Sequence, residues 1–241
     1  GRGGRRLAWR DARLQGSGGS ESGAVRKCGQ KQDLLDRAIR GEALEPLLPI
    51  VRAGGARPPC QAGALRLREL CDNARGFADV VRQHIGADLR EPEELQVTLG
   101  RFEVTARIGN LHDDRLVRYR LTTRKPKDLL ATWIEHLVVN CVRPTESILI
   151  TSTKENQPVL GRFAPPKTDA EELLAALLEL YWRGLREPLP FFPRSSLIYA
   201  EHMLGLKQGR LSPLEQALRK WGGCPVPGEP GKGGPAEWAD R

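Results

Sequence analysis

Five cysteines are scattered along the sequence, and no two of them form a CxxC pair: Cys28, Cys60, Cys71, Cys141 and Cys224. An odd number at irregular spacing argues against a disulfide framework. The four histidines share no ligand spacing with these cysteines, which argues against a zinc site. We therefore expect a reduced, cytoplasmic protein without a resident metal ion or cofactor.

Long apolar runs and nucleotide-binding loops are missing as well. No stretch reaches the roughly 20 apolar residues of a transmembrane helix, and nothing resembles a signal peptide, so no membrane contact is predicted. No Gly-Lys-Ser/Thr loop is present, so any ATP hydrolysis is expected to belong to a partner. Because the sequence begins with Gly1 rather than Met, we expect a fragment of a longer protein.

The composition predicts a folded middle with poorly ordered ends. Apolar residues make up 39% and mean hydropathy is -0.44, while the chain has 26 glycines and 18 prolines. Residues 1–30, rich in Arg, Gly and Ser, are predicted to be disordered or linker-like, and residues 222–241 a Gly/Pro-rich tail. The net charge is +8, but residues 1–30 hold seven basic and two acidic side chains, so the remainder is only weakly basic.

Residues 96–140 show the clearest secondary-structure pattern. Gln96–Leu99 and Phe102–Ala106 alternate polar and apolar residues, as half-buried strands do. Residues 116–121 alternate again and place two arginines on one strand face. An apolar helical face follows at 127–140, and the next strand candidate is 147–152. A helix between two strands implies a parallel or mixed pairing around it.

Helical periodicity flanks this region on both sides. It predicts helices at 33–39, 63–85, 168–184, 195–204 and 212–221, together with a strand at 159–163 that returns beside 147–152. Capping boxes at 168–171 and 212–215 predict the starts of two of these helices. The first of the two is expected to bury Leu173, Leu174, Leu177, Leu178 and Tyr181. The predicted order along the chain, which is helix, strands, helix, strand and then helices, is typical of an α/β fold.

Basic charge is concentrated around the predicted strands. Between Thr98 and Lys127 there are eight Arg/Lys and three Asp/Glu. Such a surface suits the phosphates of nucleic acid. The predicted DNA-binding residues are Arg101, Arg107, Arg118, Arg120, Arg124, Lys125 and Lys127. The alternative is a solvated strand face beside a lysine-rich loop, with no DNA contact.

Several segments resemble one family in their order and spacing. They are residues 53–59 with Gly63, Gly100, the 116–120 strand, Trp133-Ile134-Glu135-His136-Leu137 and Pro188-Leu189-Pro190-Phe191-Phe192-Pro193. Together they resemble the C-terminal region of RecC, the gamma chain of exodeoxyribonuclease V, over residues 31–204. The Trp-x-Glu-His-Leu and Pro-Leu-Pro-Phe-Phe-Pro segments are the strongest pieces of this resemblance.

The resemblance implies a fold and a role. The fold is an inactive restriction-endonuclease-like domain, similar to the nuclease domain of RecB, with flanking helices; it would occupy residues 31–221 with a core at 63–204. The role is that of a non-catalytic subunit of a helicase–nuclease for double-strand break repair by homologous recombination. It would line the path of double-stranded and single-stranded DNA and dock RecB-like and RecD-like subunits. The alternatives are an α/β interaction domain without DNA contact and an active metal-dependent nuclease.

The inactive state can be argued on particular residues. The resemblance implies that an active domain carries a G-x-x-D strand and a D/E-x-K strand, whose carboxylates hold a divalent metal. Glu103 keeps the first carboxylate, but the second triplet would be Arg118-Tyr119-Arg120. A metal charge about 4 Å from a guanidinium is repelled by roughly 4 kcal/mol even per unit charge at an effective dielectric of 20. We therefore predict neither metal binding nor nuclease activity.

Two uses remain open for these arginines. They could hold a DNA phosphate, or they could pair with Glu103 in a structural salt bridge. An active nuclease would instead need Glu103 together with Asp113 or Asp114, which lie in the turn before the arginine strand.

Overall fold

The computed structural model describes residues 5–9, 23–44, 61–85, 91–112 and 114–222. The 53–59 motif, Asp113 and residues 223–241 of the predicted tail lie outside these ranges. The chain divides into a first unit, Gly1–Arg124 with Thr132–Leu177, and a second unit, Lys125–Ala131 with Leu178–Arg241. The domain predicted over residues 31–221 is thus divided between two units.

The mixed α/β class predicted from the sequence is confirmed by the described elements. The strands are β1 (Arg5–Trp9), β2 (Glu93–Leu99), β3 (Phe102–Ile108), β4 (Leu111–His112), β5 (Arg115–Thr123), β6 (Glu146–Ser152) and β7 (Pro158–Phe163). The helices are α1 (Gly23–Ile39), α2 (Gln61–Ile85), α3 (Pro126–Asn140), α4 (Ala170–Gly184), α5 (Pro193–Met203) and α6 (Pro213–Gly222). No helix of the described part is long and apolar enough to cross a bilayer.

The first sheet has the order β1-β3-β2 and is built on a tight hairpin. Strands β2 and β3 are antiparallel, with Leu99 opposite Phe102 across the two-residue turn Gly100-Arg101. The first turn residue, Gly100, has a positive φ of 57°. Glycine is favoured in this conformation because other residues are strained there. Alternate residues of both strands are buried, as the period-2 pattern predicts.

The second sheet has the order β4-β5-β6-β7. Strands β5 and β6 pair in parallel, so α3 is the crossover helix that the sequence predicts. Strand β7 pairs antiparallel with β6, which confirms the predicted hairpin partner. The register shifts between Tyr119 and Thr123, where an irregularity interrupts the β5–β6 ladder.

Helices cover both faces of the β5–β6 pair. On one face, apolar side chains of the two strands share a core with α1 and α2; its members include Leu35, Phe77, Val81, Val117 and Ile148. On the other face, His136 of α3 lies 2.8 Å from Ser147 of β6, measured between Nδ1 and Oγ. The central strands are therefore buried on both sides, as parallel strands generally are.

The segment over residues 1–30, predicted to be linker-like, contains two elements. Strand β1 pairs in parallel with β3, with Leu7 opposite Val104, and α1 starts at Gly23 rather than near Asp33. The reason is tertiary, because the edge of β3 supplies hydrogen-bond partners that local composition cannot reveal.

Helix α4 departs from the predicted burial. Of the five residues expected in the core, only Leu174 is buried; Leu173, Leu177 and Leu178 are half-buried, and Tyr181 is 53% exposed. Its start also differs, because the N–H of Glu171 donates to Asp169 Oδ1 at 2.9 Å. Asp169, rather than Thr168, is therefore the residue that caps this helix.

The second unit confirms one expectation and corrects another. The capping box of α6 is present: the N–H of Ser212 donates to Glu215 Oε2 at 2.8 Å, and the N–H of Glu215 donates to Ser212 Oγ at 3.3 Å. The proline-rich sequence at 188–193 predicts that Phe191 and Phe192 fill the edge of the core. Phe192 does pack on Trp221, with ring centroids 5.6 Å apart, but Phe191 is 50% exposed.

Candidate functional site

Strand β5 presents the Arg118-Tyr119-Arg120 triplet to two different environments. The Tyr119 side chain packs on the core formed with α1 and α2. Arg118 points to the opposite face, where its Nε bonds to Glu135 of α3. Because successive side chains of a strand alternate, this is the face split that the sequence predicts.

Arg118 is held in a largely buried ion pair. Its side chain is 16% exposed, and that of its partner Glu135 is 10% exposed. Its Nη1 donates a second hydrogen bond to the carbonyl oxygen of Gly109 at 3.0 Å. The guanidinium is therefore paired inside the protein, between α3 and the turn that precedes β4.

The salt bridge with Glu103, which the sequence leaves open for the arginines of this strand, is not the pairing seen for Arg118. Glu103 lies on β3 in the first sheet, whereas Arg118 lies on β5 in the second. The Glu103 carboxylate accepts a hydrogen bond from Gln96 Nε2 on the neighbouring strand instead. Arg118 is therefore paired with α3 rather than with the first sheet.

The residues at this position do not fit a divalent cation. The carboxylate nearest to the triplet in the described contacts, Glu135, already neutralises Arg118. Asp114 is exposed at the start of β5. Across the described ranges, no three His, Cys, Asp or Glu side chains stand close enough to share a metal ion. A cation here would meet a fixed guanidinium and an occupied carboxylate.

The structure spreads the other predicted DNA-binding residues over several elements. Arg101 is exposed in the β2–β3 turn, with its guanidinium 5.0 Å from the ring centroid of Phe102. Arg107 is exposed on β3, where its cross-strand neighbour is Glu94. Arg120 is half-buried on β5. Three more follow β5 and are exposed: Arg124 in the first unit, and Lys125 and Lys127 in the second. The seven residues thus belong to several elements and to both units.

A buried polar network, which sequence analysis missed, fixes α3 to β6. His136 and Ser147 are both 0% exposed. Asn140 Nδ2 donates to the carbonyl oxygens of His136 at 2.8 Å and Thr145 at 3.0 Å, and Asn140 Oδ1 accepts from the N–H of Thr145 at 3.1 Å. The position of His136 next to Glu135 on a helix predicts a packing or surface residue. The packing role is confirmed, because the His136 ring stacks on that of Trp133 with the ring centroids 5.2 Å apart.

The His136–Ser147 contact has the residue types of a base and a nucleophile. Nucleophilic catalysis requires that a substrate reach the hydroxyl. Both side chains are completely covered, so this pair serves packing and hydrogen bonding rather than chemistry. Burial lowers the pKa of His136 below its usual 6.5, while a hydrogen bond with the Ala164 backbone acts in the opposite direction.

Removing one member of the Arg118–Glu135 pair should destabilise the first unit. Arg118→Gln or Glu135→Gln leaves a buried charge without its counter-charge, and we expect each to lower the free energy of unfolding by about 3 kcal/mol. In the double variant Arg118→Met/Glu135→Leu, the free energy of unfolding should fall by less than the sum of the decreases in the two single variants. Urea unfolding measures all three, with Arg75→Gln as the control, because its ion pair with Asp72 is exposed. Single variants that unfold like the control would refute the buried pair.

His136 should make the first unit sensitive to acid. The lowered pKa means that the folded state binds fewer protons than the unfolded state below about pH 6.5. Its contribution to stability is therefore present above that pH and is lost as the pH falls through the folded pKa. His136→Gln should flatten this dependence only partly, because burial and nearby arginines also lower the pKa of His84. Titration of the His136 ring by NMR should give a midpoint below 6.5, and a midpoint above that value contradicts the argument.

Comparison with known proteins adds the family. The family model described as "RecC C-terminal domain" matches residues 21–204, which include every described strand except β1, together with helices α1 to α5. Two curated relatives, each described as "RecBCD enzyme subunit RecC", come from Mycobacterium tuberculosis, strains CDC 1551 / Oshkosh and ATCC 25618 / H37Rv.

Each relative is 25% identical to this chain over 151 residues. The aligned region is 61% of this chain but only 14% of the relative's length, so the chain corresponds to a small part of the relatives it matches. The family match covers most of the chain and confirms the resemblance seen in the sequence. This chain belongs to the family of RecC C-terminal domains.

Proposed function

We propose that this chain is a non-catalytic part of a helicase–nuclease complex that processes double-strand breaks for homologous recombination. Its family membership and the names of its relatives support this assignment. Because it corresponds to 14% of those relatives, we assign it the tasks of one region only: lining the DNA path and docking RecB-like and RecD-like subunits. The thiol of Cys141 is unbridged, which suits a reducing cytoplasm.

The observation that carries the non-catalytic assignment is the Arg118–Glu135 pair. In a RecB-type nuclease, the corresponding strand would supply a carboxylate and a lysine to a metal-bound phosphate. Here the strand supplies a guanidinium that is already neutralised by α3. The order of α2, the β2–β3 hairpin, β5, α3 and a parallel β6 supports our proposal that the domain derives from such a nuclease fold.

DNA contact is proposed for the exposed basic residues rather than for the buried one. Arg101, Arg107, Arg124, Lys125 and Lys127 are all exposed, so their charges are available to phosphates. Arg118 has two of its donors occupied inside the protein and is assigned a structural role. Arg120, which is half-buried, stays a candidate contact.

A cleavage assay tests the non-catalytic assignment. Plasmid and single-stranded DNA should stay intact with the purified chain in Mg²⁺ or Mn²⁺, because within the described residues no group of His, Cys, Asp and Glu side chains could hold the metal. In the assembled complex, cleavage should be the same with Glu103→Ala as with the original chain. Cleavage by the isolated chain that disappears in Glu103→Ala would mean that the site is active.

The salt dependence of DNA binding separates the proposed role from that of an interaction domain without DNA contact. Each phosphate contact to duplex DNA contributes about -0.9 to the slope of log affinity against log salt. Arg124→Gln/Lys125→Gln/Lys127→Gln should therefore reduce the slope by up to roughly 3. Arg75→Gln on α2 is the control and should leave it unchanged. A slope near zero for the original chain would favour the interaction domain.

A further inference from the structure

Residues 191–222, the hairpin of α5 and α6, expose an unusual amount of apolar surface. Leu204 and Leu206 are 73% and 72% exposed, and Leu214 and Leu218 are 58% and 51% exposed. The full set of exposed large apolar side chains is Phe191, Tyr199, Met203, Leu204, Leu206, Leu214, Leu218 and Trp221. Isolated exposed leucines are common, but eight within 32 residues indicate a surface that another molecule covers.

The hairpin has almost no core of its own. Among described residues 178–222, only Ser195 and Ala217 are buried. Short helices are marginal in water unless an apolar face is packed against another element. A docked partner can therefore stabilise the hairpin by burying the apolar side chains that the chain itself leaves exposed.

Local bonds nevertheless hold the hairpin in one arrangement. The capping box fixes the start of α6, and the Phe192 ring packs on Trp221. At the end of α5, the N–H of Leu204 donates to the carbonyl oxygen of Ala200 at 2.9 Å, and Gly205 adopts a φ of 68°. A surface that is already ordered loses less conformational entropy on binding.

The apolar side chains of α6 form a stripe. Leu214, Leu218 and Trp221 stand at positions i, i+4 and i+7, which lie on one side of a helix. Rows spaced in this way receive the side chains of a second helix between them. The mainly aliphatic character of the hairpin surface favours a protein partner, because single-stranded nucleic acid is usually held by stacking on aromatic rings.

The net charge of the hairpin indicates the charge that a partner surface should carry. Residues 191–222 contain five Arg/Lys and two Asp/Glu, a net charge of +3. Both acidic side chains are engaged internally: Glu201 pairs with Lys207, and Glu215 accepts from Ser212 Oγ at 2.6 Å. The complementary surface is therefore apolar with an acidic rim.

We infer that the α5–α6 hairpin docks an acidic amphipathic helix of a partner subunit. This inference rests on the proposed function, because it names the surface through which the chain meets its complex. Helix α6 begins at Pro213, beyond residue 204 where the family match ends. The docking surface thus includes a part that the family match does not cover, so we expect its partner helix to be particular to this chain's own complex.

Photocrosslinking in the assembled complex tests the inference. A benzophenone amino acid at position 218 of the full chain should crosslink to a helix of a RecB-like or RecD-like subunit encoded with it. Mass spectrometry should locate that helix in a segment with net negative charge and apolar residues spaced by three or four. Crosslinks to DNA, to lipid, to a second copy, to residues 223–241, or to nothing in a complex that assembles would overturn the inference.

Substitution of the stripe leucines by acidic or by basic residues supplies a second readout. Leu214→Glu/Leu218→Glu should weaken assembly at least about tenfold, because it removes two apolar contacts and adds repulsion. Leu214→Lys/Leu218→Lys removes the same contacts but attracts an acidic rim, so it should lose clearly less affinity. Both sites are exposed, and the matched control is Val142→Glu, a 50% exposed apolar residue of the first unit that should leave affinity unchanged.

The outcomes separate the two proposals. Equal losses of assembly affinity in the Glu and Lys variants, or a larger loss of affinity in the Lys variant, would contradict an acidic partner. Assembly that neither variant weakens would contradict the docking surface but not the proposed function. An original chain that does not assemble with these subunits would contradict both.

Discussion

The parallel pairing of β5 with β6 is the constraint on which the first unit depends. Parallel strands need a crossover, and α3 supplies it while covering one face of the sheet. The opposite face is covered by α1 and α2, so Val117 and Ile148 are completely buried. With helices on both sides, a buried charge or amide on the α3 face is costly unless it has a partner inside the protein. The Arg118–Glu135 pair and the Asn140 network follow from that requirement.

The same parallel pairing determines what Arg118 on β5 can bind. A guanidinium on an exposed strand can meet phosphate, whereas one under a crossover helix must be neutralised locally. A buried ion pair contributes little net stability, because desolvation offsets most of its attraction. Its effect is on specificity: Arg118 bonds to both Glu135 and the carbonyl of Gly109, so it connects α3 to the turn before β4.

Local patterns predicted the elements better than their partners. Alternation located β2 and β3, and the helix between two strand candidates predicted the β5–β6 pairing, because both signals lie within one segment. The partner of Arg118 lies 17 residues away on α3, and the pairing of β1 depends on a strand nearly 100 residues later. Neither is encoded in a short window. The seven basic residues illustrate the same limit, since charge density identified them but gave no indication that they occupy different sheets and units.

The two units differ in how they bury apolar surface, and this difference relates to function. The first unit contains the described hydrophobic core and pairs its buried charges internally. The hairpin of the second unit leaves its leucines exposed although its helix ends are capped and its turn is ordered. Order without burial is difficult to explain by the stability of the chain alone, because capping contributes only about 1 kcal/mol per helix. It is consistent with a surface whose apolar contacts are completed in an assembly. In the function proposed above, a first unit without catalysis and a second unit with incomplete burial are two aspects of one role, that of a scaffold.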